Sequence, residues 1–333
     1  MINSVVLAFL AIIALAIVRL RDLFSLVILT GLYSLLSAAL FVVSDAVDVA
    51  FTEAAVGAGV GTILMLGTLR QMTGELTERR GRCGLSLVVT VMTGGALLYG
   101  TLDMPHYGDP TAPVNQHVVP RYIQESLAET GVPNIVTSVL ASYRGYDTLG
   151  ETTVILTAAL GVMGLLQGRR RKTVGSRTQM PRDDQPPNGE WLGRDGMCPM
   201  GPPVILPVMA KLLVPVILLF ALYVQFHGDF GPGGGFQAGV IFAAGFILYG
   251  LVFSVHGMLK VAPPEVVHRL IAGGLLLYAG VGVTGMLLGG QFLDYSVLSA
   301  EPAKGQHLGI MLIEFGVGTT VAATMIRLFH LFS

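Results

Sequence analysis

Apolar residues in this chain rarely alternate with polar ones; they run together in stretches of about 17–25 residues, the length at which a helix crosses a bilayer. Nine such runs can be marked: Ile2–Val18, Leu23–Val43, Ala46–Leu69, Leu85–Thr101, Glu151–Gln167, Val204–Val224, Phe236–Ser254, Val267–Leu288 and His307–Leu328. Backbone groups in lipid have to be satisfied within their own segment, so runs of this kind become helices. The pattern predicts an all-α, polytopic membrane protein with nine transmembrane helices.

Basic residues orient the spans, because they collect on the cytoplasmic side. Arg19 and Arg21 follow the first run and Arg70, Arg79, Arg80 and Arg82 the third. Arg169, Arg170, Arg171 and Lys172 follow the fifth, Lys260 and Arg269 border the turn between the seventh and eighth, and Arg327 closes the ninth. With simple alternation these clusters all fall on one side. The expected N-terminus is therefore outside and the C-terminus cytoplasmic, in a multi-pass protein of the cell inner (cytoplasmic) membrane. Met1-Ile2-Asn3-Ser4 has no basic n-region or small-residue cleavage site, so the first run reads as a retained helix.

Polar stretches cut the chain into blocks. Residues 1–80 form a three-helix unit, and residues 81–172 hold two helices joined by a long outside loop, 102–150. Residues 173–203, rich in proline, glycine and charge, read as a disordered cytoplasmic linker. Residues 204–333 form a four-helix unit. Within the outside loop, Val118–Thr130 and Thr137–Tyr143 have the pattern of short surface helices.

Composition narrows the function. With 53% hydrophobic and 12% charged residues, the chain carries about half the charge of a soluble domain. Its mean hydropathy of +0.69 agrees. A net charge of −1 suggests no nucleic-acid partner. Cys83 and Cys198 lack metal-ligand spacing and read as reduced, inert thiols. No nucleophile–base pair, phosphate loop, haem or iron–sulfur signature is visible, so the chain reads as a transport subunit, not an enzyme. No metal site and no bound cofactor are expected.

Three polar constellations interrupt the apolar pattern. The first joins the sixth and seventh runs: His227-Gly228-Asp229-Phe230-Gly231-Pro232-Gly233-Gly234-Gly235-Phe236-Gln237-Ala238-Gly239. Proline lacks an N–H and glycine loses most entropy on ordering, so no continuous helix passes through Pro232–Gly235. The residues fit a tight hairpin with solvated polar ends. They also fit a turn packed against other protein, which the density of glycine favours. The second is Tyr143-Arg144-Gly145-Tyr146-Asp147-Thr148-Leu149-Gly150-Glu151. Arg144 and Asp147 are spaced to pair at the membrane surface, and Asp147 and Glu151 suit the dipole at a helix start.

The third is Asp45-Ala46-Val47-Asp48-Val49-Ala50-Phe51-Thr52-Glu53-Ala54-Ala55-Val56-Gly57-Ala58-Gly59-Val60-Gly61. Glu53 lies about seven residues into its run, roughly 10 Å deep. An unpaired carboxylate there costs about 2.5–3.5 kcal/mol, so it should face a partner helix or an aqueous cavity. Gly57 and Gly61 lie on the same helical face and let another helix approach. Asp48 and Thr52 form an i,i+4 pair nearer the surface. Glu314 is placed seven residues into the ninth run, at a matching depth, and Lys211 seven residues into the sixth from the cytoplasmic side. Lys211 can reach toward Glu314 or snorkel to the interface. Carboxylates, hydroxyls and a lysine at such depth suit alkali-ion or proton transfer. Glu53, Asp48, Thr52, Glu314 and Lys211 are the ion-translocation candidates, with Glu53 and Glu314 expected on one route; each acid alternatively serves only to hydrogen-bond a neighbouring helix.

The first constellation resembles the H…PGGGF motif of the B subunit of Mrp-type multisubunit cation/proton antiporters and its equivalent in related membrane-bound hydrogenases, over roughly Val204–Ser333. The second resembles the signature preceding the last helix of the antiporter A subunit, which in hydrogenases is a separate small MbhE-like subunit. The third resembles the MbhD-like part near the C-terminus of the same A subunit, over roughly residues 1–75. The chain thus resembles a fusion of the A-subunit tail with the B subunit. The resemblance implies a subunit of a complex exchanging Na⁺ (or K⁺) for H⁺. It also implies partner subunits that include antiporter-like proton pumps. The ion module of a hydrogenase or complex I-like oxidoreductase, and a structural scaffold, are the alternatives it leaves.

Overall fold

The computed structural model describes residues 2–71, 83–106, 108–174 and 205–333. Nine helices among them are long and apolar enough to cross a membrane, and the described residues contain no strand. The helices α1 (Ile2–Arg19) and α2 (Leu23–Val43) form a hairpin. Asp22 caps α2, its carboxylate accepting the Ser25 N–H at 2.8 Å. After a turn at Asp45, α3 (Val47–Leu69) runs back along α2. Next come α4 (Cys83–Thr101), the surface helix α5 (Val119–Thr130) and α6 (Gly145–Val174). The second half holds α7 (Ile205–His227), α8 (Gly235–Val252), the short α9 (Val255–Val261), α10 (Pro264–Leu287) and α11 (Pro302–Phe332). Most of the expected linker, residues 175–203, lies outside the described residues. So do Arg79, Arg80, Arg82 and Cys198, and the side chains of Arg70, Cys83 and Arg169–Lys172.

The organising element is α11, which packs against α3, α5, α6, α8 and α10. Small residues make those crossings close. A Cβ on Gly235 of α8 would lie 2.0 Å from the Glu314 carbonyl oxygen, and one on Gly274 of α10 would lie 2.4 Å from that of Gly316. Around these crossings Ile271, Tyr278, Ile310, Ile313 and Val321 are fully buried. By contrast none of α4's span is buried, and Gly84, Gly94, Gly95 and Gly100 face open space.

Two departures from the expected helices matter for the site. The middle of α3, Ala54–Gly61, is a π-helix, in which bonding reaches five residues back. The glycines at 57, 59 and 61 permit it, and the Thr62 hydroxyl donates to the Gly57 carbonyl at 3.0 Å. Gly57 lies against Ser34 of α2, and Gly61 against the Val56 carbonyl of its own helix. Second, α11 begins at Pro302, so Glu314 lies twelve residues in, about 18 Å along the axis and not about 10 Å. The early turns of α11 are covered by protein: Gly305 and Gly309 pack on Tyr295, and Ala303 on Gly131. Apolarity alone does not reveal them.

Candidate functional site

The turn between α7 and α8 is clasped from two directions. Gly234 starts α8 with φ at 113°, a left-handed conformation that glycine adopts without a Cβ penalty. Its N–H returns to the Val224 carbonyl at 3.1 Å. From the segment after α5, Asn134 Nδ2 donates to the carbonyls of Gly228 at 3.0 Å and Gly231 at 2.9 Å, and the Thr137 hydroxyl to Gly228 at 2.7 Å. From α3, Asp48 Oδ1 accepts the Gly233 N–H at 3.3 Å, and the Thr52 hydroxyl accepts Gln237 Nε2 at 2.9 Å. The bonds to Gly228, Gly231 and Gly233 pair backbone groups that the missing helix leaves unpaired, and the Thr52–Gln237 bond joins two side chains. The turn is packed against protein, and that protein is this chain itself. Pro232 remains exposed.

Beneath the clasp lies a cavity of about 680 Å³. Asp48 and Thr52 of α3, Glu151 of α6, Gly233–Gly235 and Gln237 of the turn and α8, and Glu314 of α11 all line it. The missing side chain of Gly234 leaves room for the Glu314 carboxylate: a Cβ there would stand 3.2 Å from Glu314 Oε1. Among the described residues neither Glu314 nor Glu151 has a hydrogen-bonded or ion-paired side-chain partner. Three carboxylates, drawn from three sequence blocks, therefore line one open cavity, with Glu151 at its exposed edge. Such a set of oxygens suits a desolvated alkali cation or a shared proton.

Other candidates stand elsewhere. Glu53 does not line this cavity; its carboxylate and the Ser34 hydroxyl crowd the space over Gly57, on the α2 side. Lys211 is exposed on α7. Arg144 and Asp147 pair at 2.5 Å with both side chains about half exposed, at the start of α6. Within the clasped turn, His227 stacks on Tyr223 with ring centroids 4.9 Å apart, beside Gly231. His307, read from the sequence only as the first residue of the last run, pairs through Nε2 with Asp229 Oδ2 at 2.9 Å. Its place two turns before Glu314, on one face of α11, is the signal that could have found it.

The segment roofing the cavity is held by a small network. The Tyr143 hydroxyl donates to Glu129, which also pairs with Arg121 at 2.8 Å. Tyr278 and Tyr295 donate to the carbonyls of Gly145 at 2.7 Å and Ala141 at 3.2 Å. Burial first, then the Glu129 carboxylate, pushes the Tyr143 hydroxyl up to about 12 from its ordinary 10.0. Tyr143 in turn, with Arg121, holds Glu129 below its ordinary 4.5. The lowered acid contributes stability above its unfolded value and loses it as pH falls through the folded one; the raised phenol contributes below 10.0 and loses it toward about 12. Hydrogen exchange across residues 119–143, corrected for intrinsic rates, should therefore be flat between pH 4.5 and 10.0 and accelerate as pH falls below that range. The pair is only partly buried, so the effect should stay under about 1 kcal/mol.

Three family models cover the chain in series. That described as a domain related to the MnhB subunit of Na⁺/H⁺ antiporter matches residues 205–327, and those of subunits D and E of MBH match 8–74 and 79–184. A protein of Rhizobium meliloti (strain 1021), named as a probable A/B component of a K⁺/H⁺ antiporter, is 28% identical over 328 residues, spanning 92% of this chain and 32% of the relative. The "Putative antiporter subunit mnhB2" of Staphylococcus haemolyticus (strain JCSC1435) is 34% identical over 128 residues, 38% of this chain and 90% of the relative. In the solved Mrp complex from Dietzia sp. DQ12-45-1b, one chain superposes with a TM-score of 0.68 at 25% identity, covering 98% of this chain and 34% of that one. This chain thus spans about a third of the length of the A/B relative.

Proposed function

The chain belongs to the Mrp-type multisubunit antiporter family, as an A-subunit tail joined to a B subunit, and from that premise we propose that it handles ions within an Na⁺ (or K⁺)/H⁺ antiporter complex. The observation that carries this reading is the cavity shared by Asp48, Glu151 and Glu314. Like charges lining one cavity repel, and a counter-charge among them favours ionisation of more than one. An alkali cation entering the cavity supplies it and releases a proton; a returning proton expels the cation. Thr52 adds a neutral oxygen, and its bond to Gln237 fixes the hydroxyl's position.

Other subunits of the complex carry further parts of the proton pathway. The exposed apolar face of α4 is available to them or to lipid. The basic clusters orient the N-terminus outward and the C-terminus toward the cytoplasm of the inner membrane. This puts the clasped turn and the cavity in the outer half of the bilayer.

The matches to subunits D and E of MBH favour a second reading, in which the same polypeptide serves the ion module of a membrane-bound redox complex. Purification of the native complex decides between them. Antiporter-like subunits alone support the first reading; co-purifying iron–sulfur or hydrogenase subunits support the second.

A further inference from the structure

Glu314 lines two cavities. The large one takes Ile313 and Val317 from α11; a second, of about 160 Å³, takes Met311 and Phe315 together with Gln225 and Asp229 of the α7 end and turn. Residues two apart on an α-helix point to nearly opposite sides, and residues four apart to the same side. The two cavities therefore lie on opposite faces of α11, and Glu314, between the two faces, is the lining residue they share.

The small cavity has its own polar chemistry. Asp229 points into it with its side chain 18% exposed, held by His307, which is 47% exposed and reaches solvent. Gln225 stands over Gly318, where a Cβ would lie 2.6 Å from its amide oxygen. His307 lies seven residues before Glu314, about 10 Å up the same face. Oxygen ligands thus run from Asp229, which His307 links to solvent, through Gln225 to Glu314. About 160 Å³ holds roughly five waters at about 30 Å³ each, enough for an alkali ion with part of its shell. The rim is apolar: Phe226 and Phe315 are largely exposed there, which suits a boundary with lipid or a partner helix.

We propose that this smaller cavity is the alkali cation's access path to Glu314, with Asp229, held in place by His307, as its first ligand. The proposal rests on the exchange function above. Asp48 and Glu151, across α11, then exchange protons with Glu314, so cation and proton reach one carboxylate from opposite faces.

The test uses the native complex in sealed vesicles, with proton exchange followed as Na⁺ or K⁺ is varied. Asp229→Asn should raise the half-saturating cation concentration about tenfold, and Asp229→Glu should restore most of it. Met311→Trp, which fills the cavity without touching the pair, should likewise raise half-saturation. A packing role would reduce assembly or maximal rate in Asp229→Asn and leave half-saturation alone. Wild-type half-saturation in both Asp229→Asn and Met311→Trp, in assembled complex, overturns the access path while leaving the exchange function standing. Absence of exchange in the unmodified complex overturns both.

Discussion

Replacing Glu314 by glutamine is expected to abolish cation-dependent proton exchange in vesicles while the complex remains assembled. The amide keeps the size of the carboxylate, and no side-chain partner among the described residues depends on its charge. What it loses is the ability to trade a proton for a cation, at the residue lining both cavities. Loss of a charged ligand in a water-poor site costs several kcal/mol, so a fall of at least about a hundredfold is expected. Asp48→Asn should cost less, because Asp48 is already committed to the Gly233 N–H at 3.3 Å. Vesicle exchange measured beside the amount of assembled complex separates the outcomes. Unchanged exchange in Glu314→Gln would leave only a scaffold role.

The second large effect is structural. Gly235→Val sets a branched side chain where a Cβ would already lie 2.0 Å from the Glu314 carbonyl and 3.0 Å from the Gly318 amide nitrogen. Both obstacles are backbone, so α8 and α11 have to part. Overpacking of this kind costs roughly 1–3 kcal/mol where neighbours can relax, and more where they cannot. The clasped turn and the cavity go with it, so the variant is expected to fail to assemble. Gly273→Ala on α10 is the matched control: nothing lies within 4 Å of its missing side chain, and the change should stay within about 0.5 kcal/mol. The yield of assembled complex and its thermal unfolding compare the two variants directly.

The spans and the three polar constellations are legible in the sequence because each rests on a local rule, run length or glycine density, that lipid enforces strictly. The convergence of the constellations is not. Asn134, Thr137, Asp48 and Thr52 all reach the same turn through bonds between residues far apart in the chain, and sequence spacing carries no record of such pairings. Run length starts α11 five residues late, at His307 and not Pro302, because its first turns are polar and packed on protein. Shared sign and expected depth pair Glu53 with Glu314. In the fold Asp48 lines the cavity with Glu314, while Glu53 turns toward α2. The π-helical stretch that begins right after Glu53 arises from glycines whose effect on register no α-helical wheel anticipates.

One coupled event is central to the proposed function: cation binding with proton release at the carboxylates around Glu314. Proton release on adding Na⁺ or K⁺ to the purified complex, read with a pH-sensitive dye in weak buffer, measures it without transport. Protons should be released in saturable fashion by the unmodified complex and not at all by Glu314→Gln. Cation binding that releases no proton, or equal release from Glu314→Gln, would contradict that coupling.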